Sequence, residues 1–486
     1  MKSFQTALCL SAVAVASAQT PEPYSSNWNS SFALSDTQIQ EAGLSDQTVS
    51  SINTILNYER TLLANGGPRE DDFYTLPPQT NTIVNLEAGQ LLKIQEVTDP
   101  APYTLVAGSS LSKILYTTKT FNGTVVPASA FILWPYSPRQ FGDEDGGKAA
   151  TLLWTHGTSG YFADNAPSAF RTLQYENVAL FPLVQAGYAV VAPDYAGLGV
   201  GKTWNGDEIP HEYFNSPSGA NDALYAMRAA LDAFEDRLSG KFAVAGHSQG
   251  GGVAWATAEA LATESADFKE LSKGYVGTIA GAPVTDGLNL APFGTILAAR
   301  GMTQIFPDFT LDQWLTPLAE QRLKLQTELQ GSSTVGQYIY PAEPVEDLLK
   351  PGWYNSSYHG AAFSKFGDAG RKPFASPMLV LQGTNDPFVN HNITTKAVSD
   401  TCESQDGVDL EYVIVNGGGH TPMLSTIERT WLQWLEDRFE GRELAKGCKR
   451  SDLNGWLGND KHFLGSNGLV QFVGTPEFTY QNFGGV

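Results

Sequence analysis

The sequence predicts an α/β fold with a mostly parallel central sheet, and three features of the chain support this prediction. Short apolar runs alternate with helical segments through most of the chain. A turn-linked pair of strand-like runs precedes this alternation, and one long interval interrupts it. Such alternation is typical of buried parallel strands with helices on both faces of the sheet.

The first residues predict a cleaved export signal. Met1 and Lys2 give a charged start, the run Ala7–Ala16 is apolar, and Ser17-Ala18 completes a small-residue cleavage signature. The apolar run is too short to span a bilayer. We therefore expect removal of residues 1–18, a secreted extracellular protein and no stable membrane anchor.

Residues 19–110 precede the predicted sheet, and we expect them to form an N-terminal arm packed on the core. Within this arm, the stretch Asp46–Leu63 has apolar residues near helical spacing. The turn-rich Gly66-Gly67-Pro68 that follows predicts the end of a helix there.

The first part of the predicted core, residues 111–286, begins with an antiparallel hairpin. The strand-like runs Ile114–Phe121 and Val125–Trp134 flank Asn122-Gly123, the strongest short hairpin signal. The second part of the core covers residues 371–449. Across both parts, buried parallel strands are predicted at Ala150–Thr155, Ala189–Pro193, Phe242–Ala245, Val276–Ala280, Met378–Gln382 and Tyr412–Val415.

The interval before the strand at Met378 is far longer than a usual connection. Leucines and aromatic residues recur in it at helical spacing, for example at Leu311 and Trp314. We expect residues 287–370 to form an inserted helical lid over the carboxyl edge of the sheet, with an inert surface subdomain as the alternative. Residues 450–486 are assigned to a C-terminal tail.

The pentapeptide Gly246–Gly250 contains the candidate nucleophile, Ser248. It follows the strand Phe242–Ala245 and opens a helix of small residues. A strained turn between strand and helix exposes a serine oxygen, and only glycines fit beside it. The pentapeptide by itself is a weak signal, and its strand-turn-helix context makes it specific.

A serine hydroxyl needs a base to take its proton. On sheets with such a turn the chain order is nucleophile, acid, histidine. His420 lies in a glycine-rich loop directly after the last predicted strand, so it is the candidate general base. We expect His359, His391 and His462 to be packing or surface residues.

The candidate orienting carboxylate is Asp386. It follows the penultimate predicted strand, and Pro387 restricts the turn beside it. A carboxylate buried against the imidazole would fix its tautomer and stabilise the imidazolium. Asp286, which follows the preceding strand, is the rival candidate.

Two backbone N–H groups are needed to bind the oxyanion of a tetrahedral intermediate. Gln249 follows the nucleophile and is expected to supply the first. Thr158, in the loop after the strand Ala150–Thr155, is expected to supply the second, with His156 as a structural residue of that turn.

Several residue types bear on export and stability. Cys402 and Cys448 remain once Cys9 leaves with the signal, and an even count in an oxidising compartment predicts one disulfide, with two unpaired thiols as the alternative. Sequons predict N-glycosylation at Asn29, Asn122, Asn355 and Asn392.

The net charge of −21 opposes binding to nucleic acid or to anionic membranes. The sequence has no Cys/His metal spacing and no HExxH motif, so no metal or other cofactor is expected. The expected partner is a small-molecule ester, and the sequence leaves the oligomeric state open.

Several blocks of the chain resemble the fungal secretory lipase family of α/β hydrolases, in particular a branch similar to cephalosporin esterases and related extracellular carboxylesterases. The likeness runs from Asp71 to Trp434 and implies a triad of Ser248, Asp386 and His420 on an α/β-hydrolase fold whose helical lid precedes the acid. Beyond the serine turn, it is carried by Asp71-Asp72-Phe73-Tyr74, Gly89-Gln90-Leu91-Leu92, Ile114-Leu115-Tyr116-Thr117-Thr118 and Val126-Pro127-Ala128-Ser129-Ala130.

These features together predict a carboxylic-ester hydrolase that acts through an acyl-enzyme on short, acetyl-like esters of bulky alcohols. The inserted region offers enough aromatic residues to roof the serine, yet no long apolar face for an oil surface. A triacylglycerol lipase, a serine peptidase, amidase or acyltransferase, and a non-enzymatic binding protein are the alternatives. The candidate roof residues are Phe293, Phe306, Phe309, Trp314, Tyr338, Tyr340 and Trp353.

Overall fold

The computed structural model covers most of the 486-residue chain. The predicted export signal, the sequon at Asn29, the side chain of Phe293 and His462 lie outside the described residues, as does the tail beyond residue 456. The described residues are 32–78, 86–142, 146–263, 265–289, 292–340, 345–355, 358–405 and 407–456.

A single mixed sheet organises the molecule. Its strands are β1 (Leu91–Gln95), β2 (Ser109–Lys119), β3 (Val125–Pro135), β4 (Ala149–Thr155), β5 (Ala189–Pro193), β6 (Leu238–His247), β7 (Tyr275–Gly281), β8 (Met378–Gly383), β9 (Leu410–Val415) and β10 (Cys448–Leu453). Within the described residues the ten strands have the order β1-β2-β3-β5-β4-β6-β7-β8-β9-β10. The pairs β1-β2, β2-β3 and β3-β5 are antiparallel, and every later pair is parallel.

Helices cover both faces of this sheet. They are α1 (Asp36–Glu41), α2 (Asp46–Thr61), α3 (Phe181–Gln185), α4 (Ser216–Ala233), α5 (Gln249–Ala262), α6 (Lys269–Gly274), α7 (Pro292–Ile305), α8 (Pro317–Leu329), α9 (Ser333–Ile339), α10 (Val345–Leu348), α11 (His359–Gly367), α12 (His391–Ser404), α13 (Pro422–Thr426) and α14 (Glu428–Phe439). Apolar residues of α4, α5 and α12 pack on one face, and those of α3 and α14 on the other. None of the helices in the described ranges is long and apolar enough to cross a bilayer.

This architecture confirms the predicted α/β-hydrolase fold class, with its mostly parallel sheet and antiparallel start. The predicted strands are all present, and the hairpin turns through residues 120–124, where Gly123 has a φ of 83°. The hydrophobic pattern of the sequence does not predict β1 and β10. Both are edge strands with little burial, so their sequences lack the apolar runs that mark the central strands.

In the described part of the interval between β7 and β8 there are five helices, α7 to α11, within the stretch expected to be inserted. They share a hydrophobic cluster with α1 and α2 from the N-terminal arm. Polar contacts join the same elements: Lys324 pairs with Glu41 at 2.9 Å, and Arg322 donates to the Ala42 carbonyl at 3.1 Å. The arm thus packs on the inserted helices as well as adding β1 to the sheet.

Candidate active site

The predicted nucleophile lies at the turn between β6 and α5. Ser248 has φ 59° and ψ −122°, a left-handed region that non-glycine residues seldom adopt, and its side chain is partly exposed. Its backbone N–H donates to the Gly281 carbonyl of β7 at 2.9 Å. The turn therefore presents the serine at the carboxyl edge of the sheet.

Close backbone approach explains the two glycines of the turn. A Cβ at Gly246 would lie 2.1 Å from Thr155 Oγ1, and one at Gly250 would lie 2.0 Å from the Thr155 carbonyl oxygen. Contacts this short are not tolerated between real atoms, so only glycine fits at either position. Because neither glycine has a side chain, the end of β4 can pack against the start of α5.

The histidine and acid loops meet at the same edge. His420 follows β9 and Asp386 follows β8, and the His420 Nδ1 lies 2.7 Å from Asp386 Oδ2. Backbone hydrogen bonds join the two loops, and a Cβ at Gly383 would come within 2.2 Å of the Gly418 carbonyl oxygen. The glycines of both loops thus allow the approach that pairs the two side chains.

The side chain of Asp386 is fully buried and accepts hydrogen bonds from several donors. Its Oδ1 accepts the backbone N–H groups of Phe388 and Val389, both at 2.9 Å, and Oδ2 also accepts the Gln382 amide at 3.1 Å. Burial alone would raise the pKa of Asp386, but the charge of His420 and these hydrogen bonds lower it below its usual value. The carboxyl is therefore ionised at neutral pH and can orient the imidazole.

His420 lies over the serine turn. The ring of His247, which directly precedes Ser248, is 4.4 Å from the His420 ring between centroids. His247 Nε2 lies 3.1 Å from the His420 carbonyl oxygen. The structure thus brings the three sequence-predicted triad positions to one edge of the sheet.

The rival residues lie in other surroundings. Asp286 is partly buried, and its charge adds to the burial that raises the pKa of Asp368 to about 7. His359 lies in α11 with its Nε2 3.1 Å from Asp308, and His391 begins α12.

The two residues predicted to bind the oxyanion also lie at this edge, each with a side-chain contact. The Thr158 hydroxyl lies 2.8 Å from the Tyr213 hydroxyl, and the Gln249 side-chain amide lies 2.9 Å from His211 Nε2. His156 directs its ring nitrogens toward backbone carbonyls, including that of Gly157 at 2.7 Å. These contacts agree with its expected structural role.

Three residues beside the predicted ones were missed by the sequence analysis: Tyr175, His211 and Tyr213. Each reaches the site from an irregular segment that carries no motif, so no local pattern could have identified it. His247, by contrast, stands inside the serine pentapeptide, where its contact with the histidine loop could have been sought.

The cysteines and the sequons in the described residues can be placed directly. Cys402 of α12 and Cys448 of β10 are joined by a disulfide. Asn122, Asn355 and Asn392 are all exposed.

A serine turn and a buried His–Asp pair on this mixed sheet define the class of α/β hydrolases. Residues 152–430, more than half of the chain, match the Alpha/beta hydrolase family, and the chain belongs to that family. Two curated relatives are named lipases of Candida albicans. Lipase 10 is 24% identical over 310 residues, and Lipase 1 is 26% identical over 315 residues.

Each match covers 59% of this chain, and 63% of Lipase 10 or 62% of Lipase 1, so the chain spans less than two thirds of these relatives. Among solved structures, Candida antarctica lipase A superposes with a TM-score of 0.61 at 17% identity, covering 78% of this chain and 88% of that one. A rice cell wall degrading esterase from Xanthomonas oryzae gives 0.53 at 21% identity, covering 72% and 98%.

These relatives support the likeness to fungal lipases that the sequence indicates. They do not support the narrower resemblance to the cephalosporin-esterase branch, because both curated relatives are named lipases. At their low identity, the solved structures establish the fold alone.

Proposed function

We propose that this chain is a serine carboxylic-ester hydrolase in which Ser248 is the nucleophile, His420 the general base and Asp386 the orienting carboxylate. The observation that carries the proposal is the 2.7 Å contact between His420 and a buried, ionised Asp386 beside the serine turn. The names of the two Candida albicans lipases support an ester as the substrate.

The proposed mechanism proceeds through an acyl-enzyme. Ser248 Oγ attacks the ester carbonyl while His420 takes its proton, and the N–H groups of Gln249 and Thr158 bind the resulting oxyanion. Collapse of this intermediate expels the alcohol, which receives the proton from His420. Water that gives a proton to the same histidine then attacks the acyl-enzyme carbonyl. The second tetrahedral intermediate breaks its bond to Ser248 Oγ, which takes the proton back from His420, so the acid is released and the free enzyme is regenerated.

Short acyl groups on bulky, soluble alcohols are the proposed substrates. Phe309, Trp314 and Tyr340 are buried in the cluster of the inserted helices and the arm. In the described part of this stretch, the exposed large apolar side chains are those of Val345, Tyr354 and Tyr358. An oil-binding surface would need a larger contiguous apolar patch.

A triacylglycerol lipase is the second candidate, and the names of the two curated relatives favour it. The two candidates share the triad and differ in acyl length and in their response to an interface. Secretion and glycosylation remain part of the proposal, because both depend on the export signal that the first residues predict.

Labelling with a fluorophosphonate tests the proposed chemistry directly. Wild-type protein should hydrolyse p-nitrophenyl acetate and take up one fluorophosphonate, and Ser248→Ala should lose both properties while keeping the wild-type melting temperature. Wild-type protein that neither labels nor hydrolyses any p-nitrophenyl ester would contradict the proposal.

A further inference from the structure

Tyr175 lies between β4 and α3 in an unusual backbone conformation. It is the last of three consecutive non-glycine residues with left-handed φ angles, 60° at Leu173, 51° at Gln174 and 52° at Tyr175. Such residues are strained, and a run of them persists only where the surrounding structure holds it. The run directs the Tyr175 side chain into the site rather than into a helix.

The Tyr175 hydroxyl contacts two segments of the candidate site at once. It lies 2.9 Å from His247 Nδ1, in the residue before the nucleophile. It also lies against the backbone of Gly157, the residue before Thr158, where a Cβ would come within 2.0 Å of the hydroxyl oxygen. Only glycine at position 157 therefore admits the hydroxyl.

The direction of the hydrogen bonds follows from the chemistry of each atom. Burial and the nearby charge of His420 lower the pKa of His247 to about 3, so its ring is neutral at working pH. A carbonyl oxygen can only accept, and His247 Nε2 faces that of His420 at 3.1 Å, so the proton of His247 is on Nε2. Nδ1 must then accept, and the Tyr175 hydroxyl donates to it.

We propose that Tyr175 is a positioning residue that, through His247, fixes the backbone of the catalytic histidine relative to the oxyanion loop. The inference rests on the proposed function, because it concerns the geometry of that same site. The contacts that would fix this geometry form a continuous chain from Gly157 through Tyr175 and His247 to the His420 carbonyl. The four segments that it joins come from different parts of the chain, and a shift of any one would misalign the base and the oxyanion donors.

The main test is Tyr175→Phe, which removes the hydroxyl and keeps the ring. We expect kcat on p-nitrophenyl acetate to fall by about tenfold or more. Loss of one aligning hydrogen bond reduces the stabilisation of the transition state but leaves the affinity for substrate unchanged. KM should stay within about twofold. The rate of fluorophosphonate labelling should fall with kcat, and the melting temperature should change little.

Tyr275→Phe is the matched control. The Tyr275 hydroxyl also makes interior hydrogen bonds, to Thr278 Oγ1 at 2.8 Å and to the Ala375 carbonyl at 3.0 Å, but at the start of β7, on the opposite edge of the sheet. It should leave kcat unchanged. If kcat fell by a similar factor in both variants, the effect of Tyr175→Phe would reflect a general loss of stability, and the inference would be overturned.

Variants of His247 test the route. His247→Gln can still present an N–H toward the His420 carbonyl, whereas His247→Leu cannot, so the glutamine variant should be the more active. Adding Tyr175→Phe to His247→Leu should lower kcat by less than about twofold, because the hydrogen bond to His247 is already lost and the remaining contact with Gly157 no longer reaches the His420 carbonyl. Full additivity of the two substitutions would overturn the inference.

The inference and the proposed function fail in different ways. An inactive, unlabelled wild-type protein would contradict the proposed function and this inference together. An active wild-type protein with a Tyr175→Phe variant of equal kcat would overturn this inference alone.

Discussion

Asp386 and Asp286 are the two candidate acids, and their surroundings differ. Asp386 is buried against His420, and Asp286 lies beside Asp368. Asp386→Asn should lower kcat by roughly 10⁴-fold, because the amide would hold the wrong tautomer of the histidine. Asp286→Asn should have a mild effect. Steady-state kinetics on p-nitrophenyl acetate measure both, and the reverse ranking would move the acid to Asp286.

At the residue scale, the sequence offers site candidates where the signal is local. Ser248, Asp386 and His420 each follow a strand and have a glycine or proline within two residues, so their loops can be identified one at a time. Tyr175 and Tyr213 become visible only when separate segments meet, since each acts through a side chain distant in sequence. No pattern in a short window of sequence carries that information.

At the scale of secondary-structure elements, the disulfide ties the edge of the sheet to a helix. Cys402 and Cys448 join α12 to β10 across 46 residues. In the chain-entropy model a loop of this length contributes at most about 4 kcal/mol. Reduction should therefore lower the melting temperature, and β10 should lose protection from hydrogen exchange before the central strands.

The control for the disulfide is the double variant Cys402→Ala/Cys448→Ala. It should show the lower melting temperature without reductant and no further change when reductant is added. Its kcat at low temperature should match the wild type, because the bridge lies away from the triad. Native protein whose two thiols are freely alkylated before reduction would refute the bridge.

Burial explains which elements the sequence reveals. The central strand β4 is buried along its whole length, and its apolar run is evident in the sequence. The strand β10 is exposed at nearly every position and contains the polar residues Lys449, Arg450 and Asp452. Its pairing with β9 depends on the backbone and on the neighbouring bridge, so hydrophobic pattern alone could not predict it.

At the scale of the whole molecule, buried ionisable groups predict how stability depends on pH. Burial is the main cause that raises the pKa of eight carboxyl groups in the described residues. For five of them the pKa reaches about 6 (Asp194) or about 7 (Glu59, Asp222, Glu259 and Asp368). In the unfolded chain such groups titrate near pH 4, so from about pH 4 to 7 the folded chain binds more protons. Stability therefore falls as pH rises through this window.

Three buried histidines oppose this trend below about pH 6.5. Burial is the largest cause that lowers their pKa values, so they stay neutral when folded while the unfolded chain binds protons. Five carboxyl groups outweigh three histidines, and above pH 6.5 the carboxyl groups act alone. The histidines are His156, His211 and His247, with pKa values of about 4, 3 and 3.

We accordingly expect a higher melting temperature near pH 5.5 than near pH 7.5, measured by calorimetry in buffers of equal ionic strength. Asp222→Asn should make the decline shallower, because the neutral amide removes one of the titrating groups. A melting temperature that rises steadily between these two pH values would show that the histidines, or other groups, dominate.

The preferred acyl length and the response to an oil–water interface are properties of the whole molecule. The inserted helices bury much of their aromatic content in a cluster shared with the N-terminal arm. A side chain committed to such a cluster cannot also dock on an oil droplet, and the net charge of −21 adds repulsion from anionic surfaces. We therefore expect kcat/KM on p-nitrophenyl esters to be highest for acetyl and to decline toward sixteen carbons.

The same series on triacylglycerols, measured below and above the concentration at which droplets form, should show no increase in rate when the interface appears. A rate that jumps with the interface, or that climbs steadily with chain length, would make the protein a lipase, and the inserted helices would then have to open to expose the apolar surface that they now bury.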